Sequence, residues 1–304
     1  MPPTLRKPKP DKKSVTPQKS SRRSGLLDMI GACLLFSMMN ASVYAITAID
    51  NAMPSSVISF VRILCNLTIL VVPALIARHP GSLLGDRRAS LWLRGLFGGI
   101  ALMLSFAAIS RIGPGESAFL TASSGVFVAM LGPLVLGQKN SLLGWLAIIG
   151  SFAGVTLLFA PGGGQVDLLG RAMALLSGLL SALAYLMVAR AGRSNSPESV
   201  IFYFCLVALI VHLAYFALYG YRIPDKTEIW ALLLFTGLVG SGAQYFMTRA
   251  YQSSPAALVS AVGYLAPVFS LGWGILFFSQ IPSHMSLLGS LLILLFGVLL
   301  PFLR

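Results

Sequence analysis

Ten stretches of predominantly apolar residues follow one another along this chain, and they restrict its fold more than any other feature. A helix of about 20 residues crosses the roughly 30 Å hydrocarbon core of a bilayer, and each stretch is long enough to do so. Charged residues make up only 10% of the chain, against roughly 25% in soluble domains. The sequence therefore predicts an all-α integral membrane protein. Its ten predicted transmembrane helices are 26–49, 54–77, 91–110, 115–136, 141–160, 168–189, 197–219, 229–250, 255–278 and 285–303.

The second half of the chain repeats the first. The segment PSSVI at 54–58 returns as PESVI at 197–201, and SLLG at 141–144 returns at 286–289 at nearly the same separation. Repeats at a fixed separation indicate the duplication of one structural unit, here of roughly 140 residues. The predicted organisation is a basic tail, a first five-helix repeat and a second five-helix repeat. These three parts cover 1–25, 26–160 and 161–304.

The number of helices in each repeat determines how the two repeats are related. Most connections between the predicted helices are short, so neighbouring helices are antiparallel. Since five is an odd number, the second repeat starts on the opposite side of the membrane from the first. Inverted repeats are typical of secondary transporters, in which the substrate site lies near the bilayer midplane between them. We therefore expect ten transmembrane helices, arranged as two inverted five-helix repeats around a central cavity, that work by alternating access.

Positive charge is concentrated at the N-terminus, where eight of the 22 Lys and Arg residues precede residue 24. Because Pro and Ser accompany these charges, residues 1–25 are predicted to be a disordered cytoplasmic tail. Most other basic residues fall on the same side, which predicts that both termini are cytoplasmic. The net charge of +13 thus indicates membrane orientation rather than nucleic-acid binding. The expected location is the plasma membrane, or the inner membrane of a Gram-negative bacterium.

Polar side chains recur at helical spacing in the predicted helices 1, 2, 4, 6, 8 and 9, and helices 1 to 4 and 6 to 9 are expected to line the cavity. Intramembrane polar groups usually face a bundle interior or a water-filled cavity, although small ones also permit close helix packing. The fifth and tenth helices carry almost none and are expected at the periphery. The predicted substrate-binding residues are Asn40, Tyr44, Arg62, Ser124, Ser181, Tyr185, Gln244, Tyr245, Ser260 and Tyr264.

Arg62 is the basic residue that the sequence places well inside a span, roughly 12 Å from its outer end. A cation at that depth needs carbonyl groups, an anion or water. Arg62 is therefore expected either to bind a substrate carboxylate or to hold helix ends together. The tyrosines would add stacking surface with a polar edge, which suits amino acids and similar amphiphilic metabolites.

Three further residue types bear on mechanism. No acidic residue lies in the middle of a predicted helix, which favours facilitated diffusion or exchange over proton coupling. His212, without a nearby carboxylate in the sequence, is interpreted as a hydrogen-bonded packing residue rather than a proton relay. Pro267 lies within the ninth predicted helix, where it removes a backbone donor. We therefore expect a kink there and a gating role for Pro267.

Several of these features together resemble the drug/metabolite transporter superfamily, in particular its ten-helix branch of bacterial metabolite exporters. Phe60-Val61-Arg62 follows a Pro-led second helix, Pro255 opens the ninth helix, Pro267-Val268-Phe269 lies inside it and Leu288-Gly289 opens the tenth. The resemblance covers residues 26–303. Within the superfamily the chain is most similar to exporters of amino acids, especially aromatic ones. The resemblance implies the export of small organic metabolites.

Other functions remain open at this level. The substrates could instead be organic cations, or sugar or nucleotide metabolites. A membrane-embedded enzyme would need clustered catalytic groups, but the three histidines are scattered. A channel would need a ring of selectivity residues, which is not visible. We therefore predict no catalytic residue, no metal and no cofactor, and the expected partners are a small-molecule substrate and the lipid bilayer, with the protein a monomer or weak oligomer.

Overall fold

The computed structural model describes residues 19–78, 80–137, 141–158, 167–192 and 194–303. These residues are almost entirely helical, with short 3₁₀ turns at Pro80–Leu83 and Leu300–Phe302. The α-helices are α1 (Lys19–Ile49), α2 (Ser55–Ile76), α3 (Ala89–Ile112), α4 (Pro114–Ala122), α5 (Ser124–Leu136), α6 (Leu142–Leu158), α7 (Leu168–Ala191), α8 (Pro197–Tyr219), α9 (Thr227–Ser253), α10 (Ala256–Gly263), α11 (Leu265–Phe278) and α12 (His284–Leu299).

The helical segments in the described ranges coincide with the ten predicted spans. Eight segments are long and apolar enough to cross a membrane, with α4 and α5 together forming one and α10 and α11 another. The helices α6 and α12 are apolar but shorter. The chain is thus an all-helical, multi-pass membrane protein. Of the predicted tail, residues 1–18 lie outside the described ranges, and α1 already begins at Lys19.

Two of the membrane-crossing segments are interrupted by a single tightened turn. The N–H of Ser123 donates to the carbonyl of Leu120 at 3.2 Å, and that of Tyr264 donates to Ala261 at 3.3 Å. Both bonds span three residues rather than four, as in a 3₁₀ turn. Pro267 accounts for the second interruption, because it has no N–H and its ring clashes with the carbonyl four residues earlier. The two interruptions fall at corresponding positions of the two sequence repeats.

The helix contacts keep the same pattern when the two halves of the chain are exchanged. The first helix of the first half, α1, packs along the third membrane segment of the second half, α9. In the same way, α7 packs along α3, and the last helices of the two halves, α6 and α12, pack against each other. The halves therefore interlock, and any space between them is bounded by both.

Glycines allow the closest of these helix approaches. A Cβ atom at Gly99 of α3 would lie 2.9 Å from the Cα atom of Ala208 in α8. A Cβ atom at Gly154 of α6 would lie 2.7 Å from the carbonyl oxygen of Gly289 in α12, and the reverse distance is the same. Small residues are the usual means of bringing helix backbones together in membranes. Both helices of the α6–α12 pair carry exposed leucines, for example Leu142 and Leu288.

Candidate functional site

A cavity of about 1070 Å³, including its opening, lies between the two halves of the chain. Its described lining comes from α1 to α5 and α7 to α11, and none of it comes from α6 or α12. Most of the wall is apolar. The polar side chains in it are Asn40, Arg62, Arg94, Ser105, Ser117, Thr121, Ser124, Ser177, Ser181, Tyr185, Gln244, Tyr251 and Ser260.

Seven of the ten predicted substrate-binding residues line this cavity, and so does Pro267. They come from six different helices, which belong to both halves of the chain. The structure therefore brings most of the predicted polar stripes to one place. The seven are Asn40, Arg62, Ser124, Ser181, Tyr185, Gln244 and Ser260.

The structure places the other three predicted residues, all tyrosines, outside the described cavity wall. Tyr44 packs edge-on against Phe278, with the ring centroids 4.8 Å apart. Tyr245 is 36% exposed on the outer face of α9, because its neighbour along the helix, Gln244, takes the inward position. Tyr264 is buried at the interruption between α10 and α11.

Arg62 lies in the cavity wall with an exposed fraction of only 2%. Its Nη2 donates a long hydrogen bond, 3.5 Å, to the carbonyl of Gly240. Its Nε and Nη1 atoms are buried without a hydrogen-bond partner. The guanidinium carbon stands 5.7 Å from the centroid of the Phe204 ring, where a cation–π contact offsets part of the desolvation cost.

Arg94 is a second buried guanidinium in the same wall, and the sequence analysis did not identify it. Because the predicted helix begins only at residue 91, Arg94 falls near its end and counts among the basic residues expected on the cytoplasmic side. In the structure α3 begins at Ala89, and Arg94 is 3% exposed. Its guanidinium carbon lies 4.5 Å from the Phe204 centroid, and its Nε has no hydrogen-bond partner. Arg62 is therefore not the only cation inside the bundle.

The sequence contains one local indication that Arg94 is buried. A glycine, Gly98, follows it by one helical turn. The guanidinium group of Arg94 occupies the space that a Cβ atom at Gly98 would need. Gly98 also lines the cavity. An arginine followed by glycine four residues later can fold back over its own helix, which an alanine would obstruct.

The two guanidinium groups give the cavity its electrostatic character. Both lie over the single ring of Phe204. Among the described residues, neither arginine has an ion pair and no Asp or Glu lines the cavity. Buried charges without a partner are costly, and buried polar groups without a hydrogen bond are uncommon in folded proteins. The cavity can therefore attract an anion and offer it unused N–H donors.

Aromatic and hydroxyl groups form another part of the wall. Tyr185 of α7 stacks on Tyr251 of α9, with the centroids 4.9 Å apart and the planes inclined by 18°. The Tyr251 and Ser260 hydroxyl oxygens are 2.9 Å apart, which links α9 to α10. Tyr251 is another lining residue that the sequence analysis did not identify. The stack offers a flat apolar surface next to polar groups.

Several polar residues of the cavity wall have structural hydrogen bonds as well. The Nδ2 of Asn40 donates to the Ser270 hydroxyl oxygen at 3.2 Å, which joins α1 to α11. Ser177 donates to the carbonyl of Ala101 at 2.8 Å. Gln244 donates to the Thr248 hydroxyl oxygen on its own helix. Asn40 and Ser177 thus hold helices together, and all three residues at the same time present polar atoms to the cavity.

Ion pairs join the two halves near the α3–α4 connection. The Nε of Arg111 lies 2.7 Å from an oxygen of Asp167, the residue before α7. The Nε of Arg171 lies 2.5 Å from an oxygen of Glu116, in a second pocket lined also by Gln280. The carboxylate of Asp167 accepts from the N–H of Gly170, and this bond, followed by Arg111, lowers its pKa below the ordinary aspartate value. The Asp167 carboxylate therefore stays ionised.

A different set of contacts joins the halves near the α2–α3 and α7–α8 connections. Asp86 accepts a hydrogen bond from the Ser194 hydroxyl at 2.6 Å. This bond is the main cause of a pKa below the ordinary aspartate value for Asp86. Asp28, in the first half of α1, pairs with Arg249 near the end of α9 at 3.4 Å. Both ends of the bundle therefore carry polar links between the halves, and opening either end would require some of them to break.

His212 is buried and hydrogen-bonded at both ring nitrogens. Its Nδ1 donates to the carbonyl of Ala208 at 2.8 Å, and its Nε2 lies 2.7 Å from the Ser59 hydroxyl oxygen of α2. These contacts fit the interpretation of a packing residue that ties α8 to α2. Within the described residues, no group of three or more His, Cys, Asp or Glu side chains is arranged to hold a metal ion.

Comparison with known sequences identifies a protein family. The profile of the EamA-like transporter family matches residues 24–160 and, a second time, residues 168–302. The two matches together cover most of the chain. Their boundaries fall close to those of the two predicted repeats.

Several known proteins are similar to most of the chain. The chain is 29% identical to the pseudopaline exporter CntI of Pseudomonas aeruginosa, over 89% of this chain and 93% of that protein. It is 27% identical to solute carrier family 35 member G1 of Homo sapiens, over 73% and 65%. It is 23% identical to a riboflavin transporter of Vibrio cholerae, over 89% and 90%. A crystal structure with 20% identity, covering 93% of this chain and 97% of its own, shares the fold with a TM-score of 0.67.

Proposed function

Since the chain belongs to the EamA-like transporter family, we propose that it exports small carboxylate-bearing metabolites from the cytoplasm by alternating access, with amino acids, including aromatic ones, as the first class to test. The family and the transporter names of its relatives identify a transporter rather than an enzyme. The export direction, the amino-acid class and alternating access are the parts that we propose.

One observation carries the proposed substrate class: two buried guanidinium groups without ion-pair partners in the described wall of the cavity. An arginine fork matches the geometry of a carboxylate and binds it through two parallel N–H···O bonds. The stacked rings of Tyr185 and Tyr251 line the same cavity and can receive an aromatic or other apolar side chain. Organic cations would meet repulsion from the same arginines.

The proposed mechanism rests on the relation between the two halves. We propose that 26–160 and 161–304 are inverted repeats, so that one end of the cavity closes as the other opens. The double match of the family profile, the mirrored helix contacts and the corresponding interruptions at Ser123 and Tyr264 support this arrangement. The polar links at both ends of the bundle are the contacts that would alternate.

We propose Pro267 as a gating residue. It lines the cavity and lies three residues after the interruption at Tyr264. The carbonyl oxygens of Val262 and Gly263 lie 3.5 and 3.7 Å from the thiol of Cys33 on α1. The interrupted turn is therefore already bonded to a neighbouring helix, and it could change its bend with little loss of intrahelical hydrogen bonds.

The remaining predictions concern the setting of the carrier. We propose that both termini are cytoplasmic in the plasma membrane, or in the inner membrane of a Gram-negative bacterium. We propose a monomer or weak oligomer as the working unit. The described wall holds no carboxylate, which supports exchange or facilitated diffusion rather than proton coupling.

A second candidate is an exporter or exchanger of a different substrate class. The relatives support this second candidate, because their names refer to molecules as different as pseudopaline and riboflavin. Sugar and nucleotide metabolites belong to this candidate. Carboxylate-bearing and phosphate-bearing members of it would suit the two arginines equally.

Counterflow in proteoliposomes tests the proposed function. Liposomes with purified protein and a high internal concentration of unlabelled phenylalanine should accumulate labelled phenylalanine transiently, with saturation at high external concentration. Protein-free liposomes are the control, and parallel panels contain other amino acids, organic cations and sugar nucleotides. Counterflow of organic cations alone would contradict the proposed substrate class. Non-saturable flux, or single-channel currents, would contradict a carrier.

A further inference from the structure

Arg62 and Arg94 lie in one cavity over one aromatic ring, and this arrangement implies more than a single carboxylate site. We infer that the two arginines bind two anionic groups of the same substrate, so that small organic dicarboxylates are preferred over monocarboxylates and over zwitterionic amino acids. The inference rests on the proposed function, because it concerns the selectivity of the same cavity.

The balance of charge in the cavity wall is the first argument. Two guanidinium groups line it, and among the described residues no carboxylate does. A zwitterion brings no net charge, and its ammonium group would find no acidic partner in that wall. A monocarboxylate neutralises one arginine and leaves the other buried and unpaired. A dicarboxylate neutralises both, which matters most where water is excluded.

The geometry of the pair is the second argument. The guanidinium carbons are 5.7 and 4.5 Å from the centroid of the same Phe204 ring, so one small molecule can reach both groups. The donors left without partners belong to both side chains: Nε and Nη1 of Arg62, and Nε of Arg94. Each arginine therefore has N–H groups for its own acceptor. The Ser117 hydroxyl, also buried without a partner in this wall, adds a further donor.

The cost of the arrangement is the third argument. Like charges disfavour each other, and both side chains are almost completely removed from solvent. A structural arginine would have a carboxylate or several carbonyl groups, as Arg171 has Glu116. Arg62 has one long bond to a carbonyl, and the contact that the structure assigns to the Arg94 side chain is the Phe204 ring. Unpaired intramembrane cations of this kind are typical of substrate sites.

Three ligands that share one benzyl group separate the possibilities. Benzylmalonate carries two carboxylates, 3-phenylpropionate carries one, and phenylalanine carries one carboxylate and one ammonium group. Binding to the purified full-length protein is measured by titration calorimetry above neutral pH, where both carboxylates of benzylmalonate are ionised. Benzylmalonate should bind at least about tenfold more tightly than either of the others, since a second charge-assisted contact is worth about that factor or more.

Variants assign the preference to the arginines. Arg94→Gln and Arg62→Gln should each reduce benzylmalonate affinity to about that of 3-phenylpropionate, with a smaller effect on 3-phenylpropionate itself. Arg94→Lys keeps the charge and should keep part of the preference. The matched control is Arg190→Gln, which removes an exposed arginine near the end of α7 and should leave the preference unchanged. Size-exclusion profiles and thermal midpoints verify that each variant is folded.

Two results would overturn the inference: equal binding of the three ligands to the wild-type protein, or a benzylmalonate preference that survives both glutamine substitutions. If Arg94→Gln does not fold, the inference is still tested by the affinities of the wild-type protein for the three ligands and by the benzylmalonate preference of Arg94→Lys. Counterflow separates this inference from the proposed function. Saturable counterflow without a dicarboxylate preference rejects only the inference, whereas the absence of counterflow for every compound in the panels rejects the carrier.

Discussion

Replacing Arg94 with methionine should make the substrate-free protein more stable. Methionine has a comparable volume and no charge, so it removes a buried cation that has no ion pair among the described residues. A structural arginine would show the opposite behaviour. The substitution therefore separates the two interpretations that the sequence leaves open for a cation in this bundle, namely substrate binding and helix anchoring.

The expected magnitude follows from the contacts of Arg94. Burying an unpaired charge costs several kcal/mol. The cation–π contact with Phe204, which the substitution also removes, returns about 2 kcal/mol at such a desolvated site. Repulsion from Arg62 disappears as well. The net gain should be about 1–3 kcal/mol, which raises the thermal midpoint by a few degrees in a protein of this size.

Arg171→Met is the matched control, because Arg171 has a carboxylate partner. The side chains of Arg171 and Glu116 are 10% and 23% exposed, so the pair is largely but not fully buried. Removing one partner of a fully buried pair costs about 3–5 kcal/mol. Partial solvent screening reduces this to about 1–3 kcal/mol, in the destabilising direction.

The assay is thermal unfolding of both variants and the wild type, in one detergent and at one heating rate. Identical conditions are needed because membrane-protein unfolding is often irreversible. Benzylmalonate should raise the midpoint of the wild type and have little effect on Arg94→Met. If Arg94→Met lowers the midpoint as much as Arg171→Met does, Arg94 is a structural residue and the reasoning is refuted.

Three further predictions concern gating, positioning and pH. Pro267→Ala should lower the transport rate but not the yield of folded protein, because alanine lets the helix continue through the interruption; unchanged kinetics would contradict a gating role. Gly98→Ala should weaken benzylmalonate binding about tenfold without changing the charge, because its Cβ displaces the Arg94 guanidinium. Gly272→Ala, which meets no atom within 4 Å, is its control, and equal binding by both would refute the positioning. Because the pKa of Asp167 is lowered in the fold, its stabilising effect should be complete above the ordinary aspartate pKa and lost as pH falls through the folded value. Asp167→Asn should flatten this acid limb of the thermal midpoint against pH, and an unaltered limb would count against the assignment.

The helices could be predicted from the sequence because the bilayer imposes a simple rule of length and hydrophobicity. The interruption near Pro267 followed from the chemistry of proline. The matching interruption at Ser123 did not, because no proline lies there and its tightened turn depends on contacts across the bundle. Gly178 of α7, for instance, leaves room for the carbonyl oxygens of Leu120 and Thr121.

The cavity wall could be predicted only in part. Helical spacing finds the polar face of a helix, which was enough for residues such as Asn40 and Gln244. It does not distinguish a cavity from a helix–helix contact, and for this reason Tyr44 and Tyr264 were grouped with the cavity residues. Arg94 was missed because the helix boundary was uncertain by two residues and a basic residue near a helix end is normally attributed to the interface.

The accessibility of a cavity residue from the two sides of the membrane tests the central claim most directly. Ser105 of α3 is half-buried in the cavity wall, and a single cysteine there, in a chain without its three native cysteines, can be labelled with a membrane-impermeant thiol reagent. Alternating access predicts that Ser105→Cys reacts from either side in separate experiments, and that a transported substrate changes the ratio of the two rates. Labelling from one side only, whatever the substrate, would contradict a cavity that opens to both sides in turn.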